Sequence, residues 1–203
     1  MPKPRTNLLT AAAIATALTL SACVGGTTDT GSSAAPSSPD SSASSVDFVD
    51  ADVEFAQMMI PHHEQAVEMS DDLLAKDGID PRIVDLATEI KAAQEPEIKQ
   101  LESWLTAWGM DDTSSSEMDM SDMDHGTDGM MSDDDMNALK SASSEDAGKL
   151  FLEQMIVHHQ GAIAMAQTEI DEGQYPDAVD MATNIVESQT AEIDVMNDIL
   201  ATL

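Results

Sequence analysis

"MMIPHHEQAVEM", residues 58–69, sets two adjacent histidines between methionines, and "QMIVHHQGAIAM", residues 154–165, does so again. Four of the chain's five histidines sit in these two doublets. Around them, Phe55, Met59, Ile60, His62, His63, Ala66 and Met69 recur as Phe151, Met155, Ile156, His158, His159, Ala162 and Met165, at a constant offset of 96 residues. Further along, Ala87, Thr88, Ile90, Gln94, Glu97, Ile98 and Leu105 recur as Ala182, Thr183, Ile185, Gln189, Glu192, Ile193 and Leu200, at an offset of 95. The chain therefore contains two related halves, each a pair of helical segments. Neither amphipathic hairpin hides its apolar face alone, so mutual packing into an all-α, antiparallel four-helix bundle with pseudo-twofold symmetry is expected.

Helix punctuation agrees with this division. A first helix is expected from about Asp47 to Lys76, ended by "DGIDP"; Asp80 then caps a second, with Pro81 in its first turn and a stop near Gly109. Pro96 is expected to bend that helix, and Pro61, whose counterpart is Val157, to leave the carbonyl of Gln57 without its helical donor. Ser132 suits the cap of a short helix, "DDDMNALK". A third long helix follows from about Ser144 to Glu172, closed by Gly173, and a fourth runs from Pro176 almost to Leu203.

The N-terminal residues do not belong to the bundle. Lys3 and Arg5 precede an apolar run from Leu8 to Leu20, too short to span a bilayer but suited to the core of a signal peptide, residues 1–22. "LSAC", ending at Cys23, resembles the bacterial lipoprotein box, which implies an exported protein held to the membrane by lipid on Cys23. Residues 23–46, rich in Ser, Gly and Pro, read as a flexible tether, and residues 47–203 as the folded domain. Cys23 is the only cysteine, so neither an internal disulfide nor a thiolate metal site can form. A formal charge of −31 makes nucleic acid an improbable partner and attracts cations without choosing among them.

Two features choose. On an ideal helix Phe55, Met59, His62, Ala66 and Met69 share a sector of about 80°, with His63 beside it. Thioether sulfur is soft and uncharged, so a set of Met and His suits Cu(I) and its analogue Ag(I) better than Zn(II). A single such stripe is more simply core filler with hydrogen-bonded histidine; its duplication favours metal binding. The second feature is the segment 110–136, which holds seven of the fifteen methionines, ten acids and no Lys or Arg. In a solvated acidic loop methionine has no packing role, so Met118, Met120, Met123, His125, Met130 and Met131 read as soft ligands on a flexible string. Neutral drift in low-complexity sequence and methionines that buffer oxidation are the alternatives. Coordination requires neutral imidazole, so binding at the doublets is expected to weaken below about pH 6.5, whereas thioethers do not titrate.

Catalysis has no visible machinery. The Glu-x-x-His pattern of di-iron bundles is absent, since Met59 and Ile60 stand three residues before His62 and His63, and there is no HExxH, nucleophile elbow or phosphate loop. The expectation is a binding protein, not an enzyme.

The motif F-x3-M-[IV]-x-H-H-x2-A-x2-M, followed by A-T-x-I-x3-Q-x2-E-I and present twice, resembles the family known as domain of unknown function 305. The resemblance covers about Asp47 to Leu203 and includes "WGM" and "GMMSDDDM". It implies a ferritin-like four-helix bundle, exported and often lipid-anchored, with copper ligands at the doublets and in Met-rich segments. Carried onto this chain, those positions are Met59, His62, His63 and Met69, and Met155, His158, His159 and Met165. The function so implied is extracytoplasmic sequestration of copper or its transfer to a partner protein. A helical module that recognises a protein or peptide, with the doublets as buried hydrogen-bonded wedges, is the rival reading.

Overall fold

The acidic and proline-bearing turns cut the chain where their chemistry dictates. The computed structural model describes residues 47–110 and 129–203, which form α1 (Asp50–Leu74), α2 (Pro81–Trp108), α3 (Asp133–Ser141), α4 (Ser144–Glu172) and α5 (Pro176–Leu200), with no strand among the described residues. Asp80 caps α2 by accepting from the Arg82 backbone N–H, and Ser132 and Ser143 cap α3 and α4 in the same way through Asp135 and Asp146. Gly109 ends α2 in the left-handed conformation, φ 73°, that glycine adopts without strain. The helices α1 and α2 each continue through their internal proline.

Gly173 ends α4 as expected but for a different reason. Its φ is −68°, so no left-handed turn selects it; a Cβ there would collide with the carboxyl of Glu169, one turn earlier. The first helix is also shorter than its periodicity suggests. It begins at Asp50 because the side chain of Asp52 reaches back to accept the Val49 backbone N–H at 2.6 Å and closes the helix start.

Two antiparallel hairpins, α1–α2 and α4–α5, pack through α1 against α4, while α2 and α5 barely touch. The buried side chains divide into two apolar clusters. One joins Ala66, Met69 and Leu73 of α1 to Ile83–Ile90 of α2, Ala147–Met155 of α4 and Met196–Ile199 of α5. The other joins Val53–Met59 of α1 to Leu101–Leu105 of α2, Ala162–Ala166 of α4 and Ala178–Ile185 of α5. Thus the C-terminal half of α1 meets the N-terminal half of α4 and the reverse, which is the expected twofold relation between repeats. The short α3 lays Leu139 and Met136 on the first cluster, and Lys76 ties its end down by donating to the carbonyls of Lys140 and Ala142.

At the other end, an aromatic corner gathers Phe48, Trp104, Trp108 and Tyr175, with Phe48 stacked on Trp108 at 4.9 Å between ring centroids. Beside it, fully buried Asp52 also accepts the backbone N–H groups of Gln174 and Tyr175 at 2.9 and 2.8 Å, tying the start of α1 to the α4–α5 turn.

Candidate metal centre

Between the two apolar clusters lies a layer of polar side chains, one set from each long helix. His62 and His63 come from α1, Gln94 and Glu97 from α2, His158 and His159 from α4, Gln189 and Glu192 from α5. All four histidines and both glutamines are buried. Period and packing explain the placement: the doublets sit midway along the central pair of helices, on the faces that α1 and α4 turn toward one another and toward their own hairpin partners.

The first histidine of each doublet meets its counterpart. The rings of His62 and His158 lie 3.7 Å apart between centroids, tilted by 37°, where α1 crosses α4. The second histidine of each doublet turns to its own hairpin. His63 Nε2 stands 2.8 Å from Glu97 Oε2, and His159 Nε2 stands 2.6 Å from Glu192 Oε2. The Glu97 carboxylate also faces an open groove of about 320 Å³ between α2 and α5, shared with Trp104, Asp177, Asp180 and Met181, so the buried layer is one side chain away from water.

The layer is costly to bury. Nδ1 of His63, His158 and His159, Nε2 of His158, and Oε1 of Gln94 and Gln189 meet no hydrogen-bond partner of good geometry. Each such atom costs roughly 1–3 kcal/mol of lost hydration. Burial, and then the charge that His62, His159 and His63 would place beside it, hold the His158 pKa well below the usual imidazole value, with only the His62 backbone acting in the opposite sense. His158 therefore presents neutral nitrogen at pH values where an exposed histidine is charged, so the protonation expected near pH 6.5 moves to more acidic conditions for this residue.

Thioethers flank the layer unevenly. Met59 and Met155 are fully buried and lie one turn from the histidines, one at the edge of each apolar cluster. Met69 and Met165 stand six residues beyond the second histidine of their doublets, about 9 Å along the helix. Met69 is enclosed in one cluster and Met165 packs against the other, so the geometry separates this pair from the histidine layer.

Of the acidic segment, Met118, Met120, Met123 and His125 lie outside the described residues, as do Cys23 and the leader. The end that is described departs from the flexible string expected for it. Gln65 pairs with Met131 through both backbone groups, donating Nε2–H to its carbonyl at 2.9 Å and accepting its N–H at 2.7 Å. Gly129, at φ 74°, lies so close to α4 that a Cβ would meet the Val157 carbonyl and the Gly161 Cα. Met131 and Met136 pack on the core. Residues 129–131 are thus strapped across α1 and α4 within two residues of both doublets, because a side-chain amide supplies the hydrogen bonds that a solvated loop would take from water.

The Gln-x2-Glu repeated in α2 and α5 completes the layer, and its recurrence in both halves is the only mark it leaves in the sequence. Among the described residues, no three His, Cys, Asp or Glu side chains converge in a ready-made metal cluster. The donor set is instead imidazole nitrogen with neighbouring thioether, which suits a soft ion of low coordination number.

Fold and site together define a helical-hairpin repeat protein with a histidine doublet in each repeat. The chain belongs to the family described as domain of unknown function DUF305, whose model matches residues 52–200. Similar solved structures include a DUF305 fragment from Deinococcus radiodurans (30% identity, covering 76% of this chain and 98% of that one, TM-score 0.68) and a DUF305 protein from Streptomyces coelicolor (32%, 75% and 91%, TM-score 0.67). CopM in its Cu(I)-bound form is similar at 30% identity, over 74% of this chain and 96% of that one, with a TM-score of 0.59; CopM has also been solved bound to Cu(II) and to Ag. No curated protein matches the chain at a significant level.

Proposed function

We propose that this protein is an exported, lipid-anchored binder of Cu(I), with Ag(I) as an accepted analogue, that sequesters the ion or passes it to a copper-transfer protein, and that it is not an enzyme. The observation that carries this reading is the buried layer itself. Imidazoles from both repeats, with buried ring nitrogens of His63, His158 and His159 that meet no hydrogen-bond partner of good geometry and a thioether one turn away on either side, form a donor set that stability alone does not require. The similarity to CopM structures holding copper and silver supports the choice of ion. The lipid anchor rests on "LSAC" and the apolar run before it. Among the described residues no helix is long and apolar enough to cross a membrane. The acidic methionine segment, whose described end is strapped beside the doublets, serves as a collector that raises the local concentration of ion at the layer.

The rival, a partner-binding bundle with structural doublets, draws on the His63–Glu97 and His159–Glu192 contacts, each of which locks one hairpin. Changing His62, His63, His158 and His159 together to Gln separates the two. The metal reading expects the tightly held Cu(I) to disappear in a competition titration while the helical CD spectrum persists. Undiminished Cu(I) binding, or collapse of the bundle when single His→Gln variants also bind Cu(I) like the parent, assigns the doublets to the rival.

A further inference from the structure

The two half-buried glutamates of the layer explain which atom of the second histidine is offered to a ligand. We infer that Glu97 and Glu192 are positioning residues that hold His63 and His159 as Nε2–H tautomers, leaving Nδ1 of each as the atom that accepts a soft metal ion; the inference rests on the metal-binding reading above.

The argument is one of donors and acceptors. An ionised carboxylate only accepts, so the 2.8 and 2.6 Å contacts require the hydrogen on Nε2 of both rings. In a neutral imidazole the other nitrogen is then a bare lone pair. That nitrogen, Nδ1, is buried in both rings and meets no hydrogen-bond partner. A histidine that ligates through one nitrogen and gives its other N–H to a carboxylate is oriented and made more basic by that contact. The arrangement also survives a difference in loop length between the repeats: Glu97 follows His63 by 34 residues and Glu192 follows His159 by 33, yet both contacts form at the same ring atom. A contact serving only to fasten a hairpin could have been made at either nitrogen, and here both rings turn Nδ1 inward.

Nitrogen-15 NMR of the histidine-labelled full chain in detergent tests this, with Ag(I) as the NMR-active probe. In the metal-free protein His63 and His159 are expected to show a protonated Nε2 and an unprotonated Nδ1. On adding Ag(I), the Nδ1 resonances should shift and acquire coupling to silver while the Nε2–H signals remain. An Nδ1–H tautomer in the metal-free protein, or silver bound at Nε2 with loss of its N–H, overturns the inference and leaves metal binding intact. No silver-induced change at any of the four doublet histidines removes the metal reading and this inference with it. As a second arm, Glu97→Gln with Glu192→Gln is expected to weaken Ag(I) binding about 10- to 100-fold, with helical CD unchanged. An unchanged affinity in a folded double variant also overturns it.

Discussion

Raising the pH from 6.5 to 8 is expected to destabilise the bundle through one carboxyl group, Glu169. This side chain is 1% exposed and lies against Asp52 at the join of α1 with the α4–α5 turn. Burial first, then its hydrogen bond to Asp52 and the charge of that residue, push its pKa up from 4.5 to about 8. Burial acts on Asp52 in the same sense, but the hydrogen bonds from the Val49 and Tyr175 backbones, the Glu169 side chain and the Gln174 backbone overcome it and hold its pKa below 3.8. One carboxylate and one carboxylic acid therefore share the join at neutral pH. Because the folded-state value of Glu169 is raised, its stabilising proton is fully effective below pH 4.5 and is lost as pH rises through about 8. His158 has the opposite sign. Its folded value is depressed, so its contribution is present above 6.5 and lost below, and between 4.5 and 6.5 the two slopes oppose each other. Only above 6.5 does Glu169 act alone. At about 1.4 kcal/mol per pH unit, the 1.5 units up to pH 8 amount to at most about 2 kcal/mol. Urea unfolding followed by CD at pH 6.5, 7.25 and 8 should show stability falling by that order, with levelling only at pH values above the folded-state pKa. Glu169→Gln, which keeps a neutral donor beside Asp52, should abolish the slope. A parent protein whose stability is flat or rises over this interval, or a variant that keeps the slope, would refute the assignment of the proton to this pair.

Four further outcomes are expected. Gln65→Ala removes both hydrogen bonds to Met131, so stability should drop by about 1–2 kcal/mol and protease cleavage near residue 129 should accelerate; unaltered cleavage would show that the strap does not depend on Gln65. Met59→Leu with Met155→Leu conserves core volume, so unfolding should change by less than about 1.5 kcal/mol while the preference for Cu(I) over Zn(II) declines, and an intact preference would exclude the two thioethers as its source. Replacing Met118, Met120, Met123, Met130 and Met131 by Leu should lower the number of copper ions bound without changing the helical CD spectrum. Cys23→Ser should release the protein from the membrane fraction; full membrane retention with normal processing counts against the lipid.

The bundle was legible because its signals are local and repeated. The doublets, the Met stripe and the proline and serine helix starts each fix a boundary or a face without reference to the rest of the chain, and the constant offsets announce two hairpins. What escaped depends on contacts between distant segments. Nothing near Asp52 in the sequence points to Glu169 or to the turn after it, 122 residues away at Gln174. The reason for Gly173 is equally invisible, since it is Glu169 that occupies the space of its Cβ. Gln65 looks like an ordinary half-buried helix residue until Met131 is laid beside it. Met59 and Met69 share a helical face, which says nothing about the distance along the axis that sets Met59 one turn from the histidines of its doublet and Met69 farther away.

The position of the layer has a physical consequence for how a site of this kind is made. Each hairpin contributes one doublet, one glutamine and one glutamate, and His62 reaches His158 only where α1 crosses α4. Neither repeat holds the four imidazoles by itself. The unpaired polar atoms at mid-height oppose closure, and the apolar clusters on both sides drive it, since they bury Phe151, Leu152, Ile83 and Ile90 on one side and Phe55, Leu101, Trp104 and Ile185 on the other. An ion that takes up those atoms binds the closed arrangement of the hairpins and not the separated one, and so stabilises the docking in proportion to its affinity and concentration. On the metal-binding reading proposed above, ligands at the crossing of the repeats would make occupancy and hairpin docking a single equilibrium. Ligands on one hairpin face, or a cluster of carboxylates at the surface, would bind without that coupling.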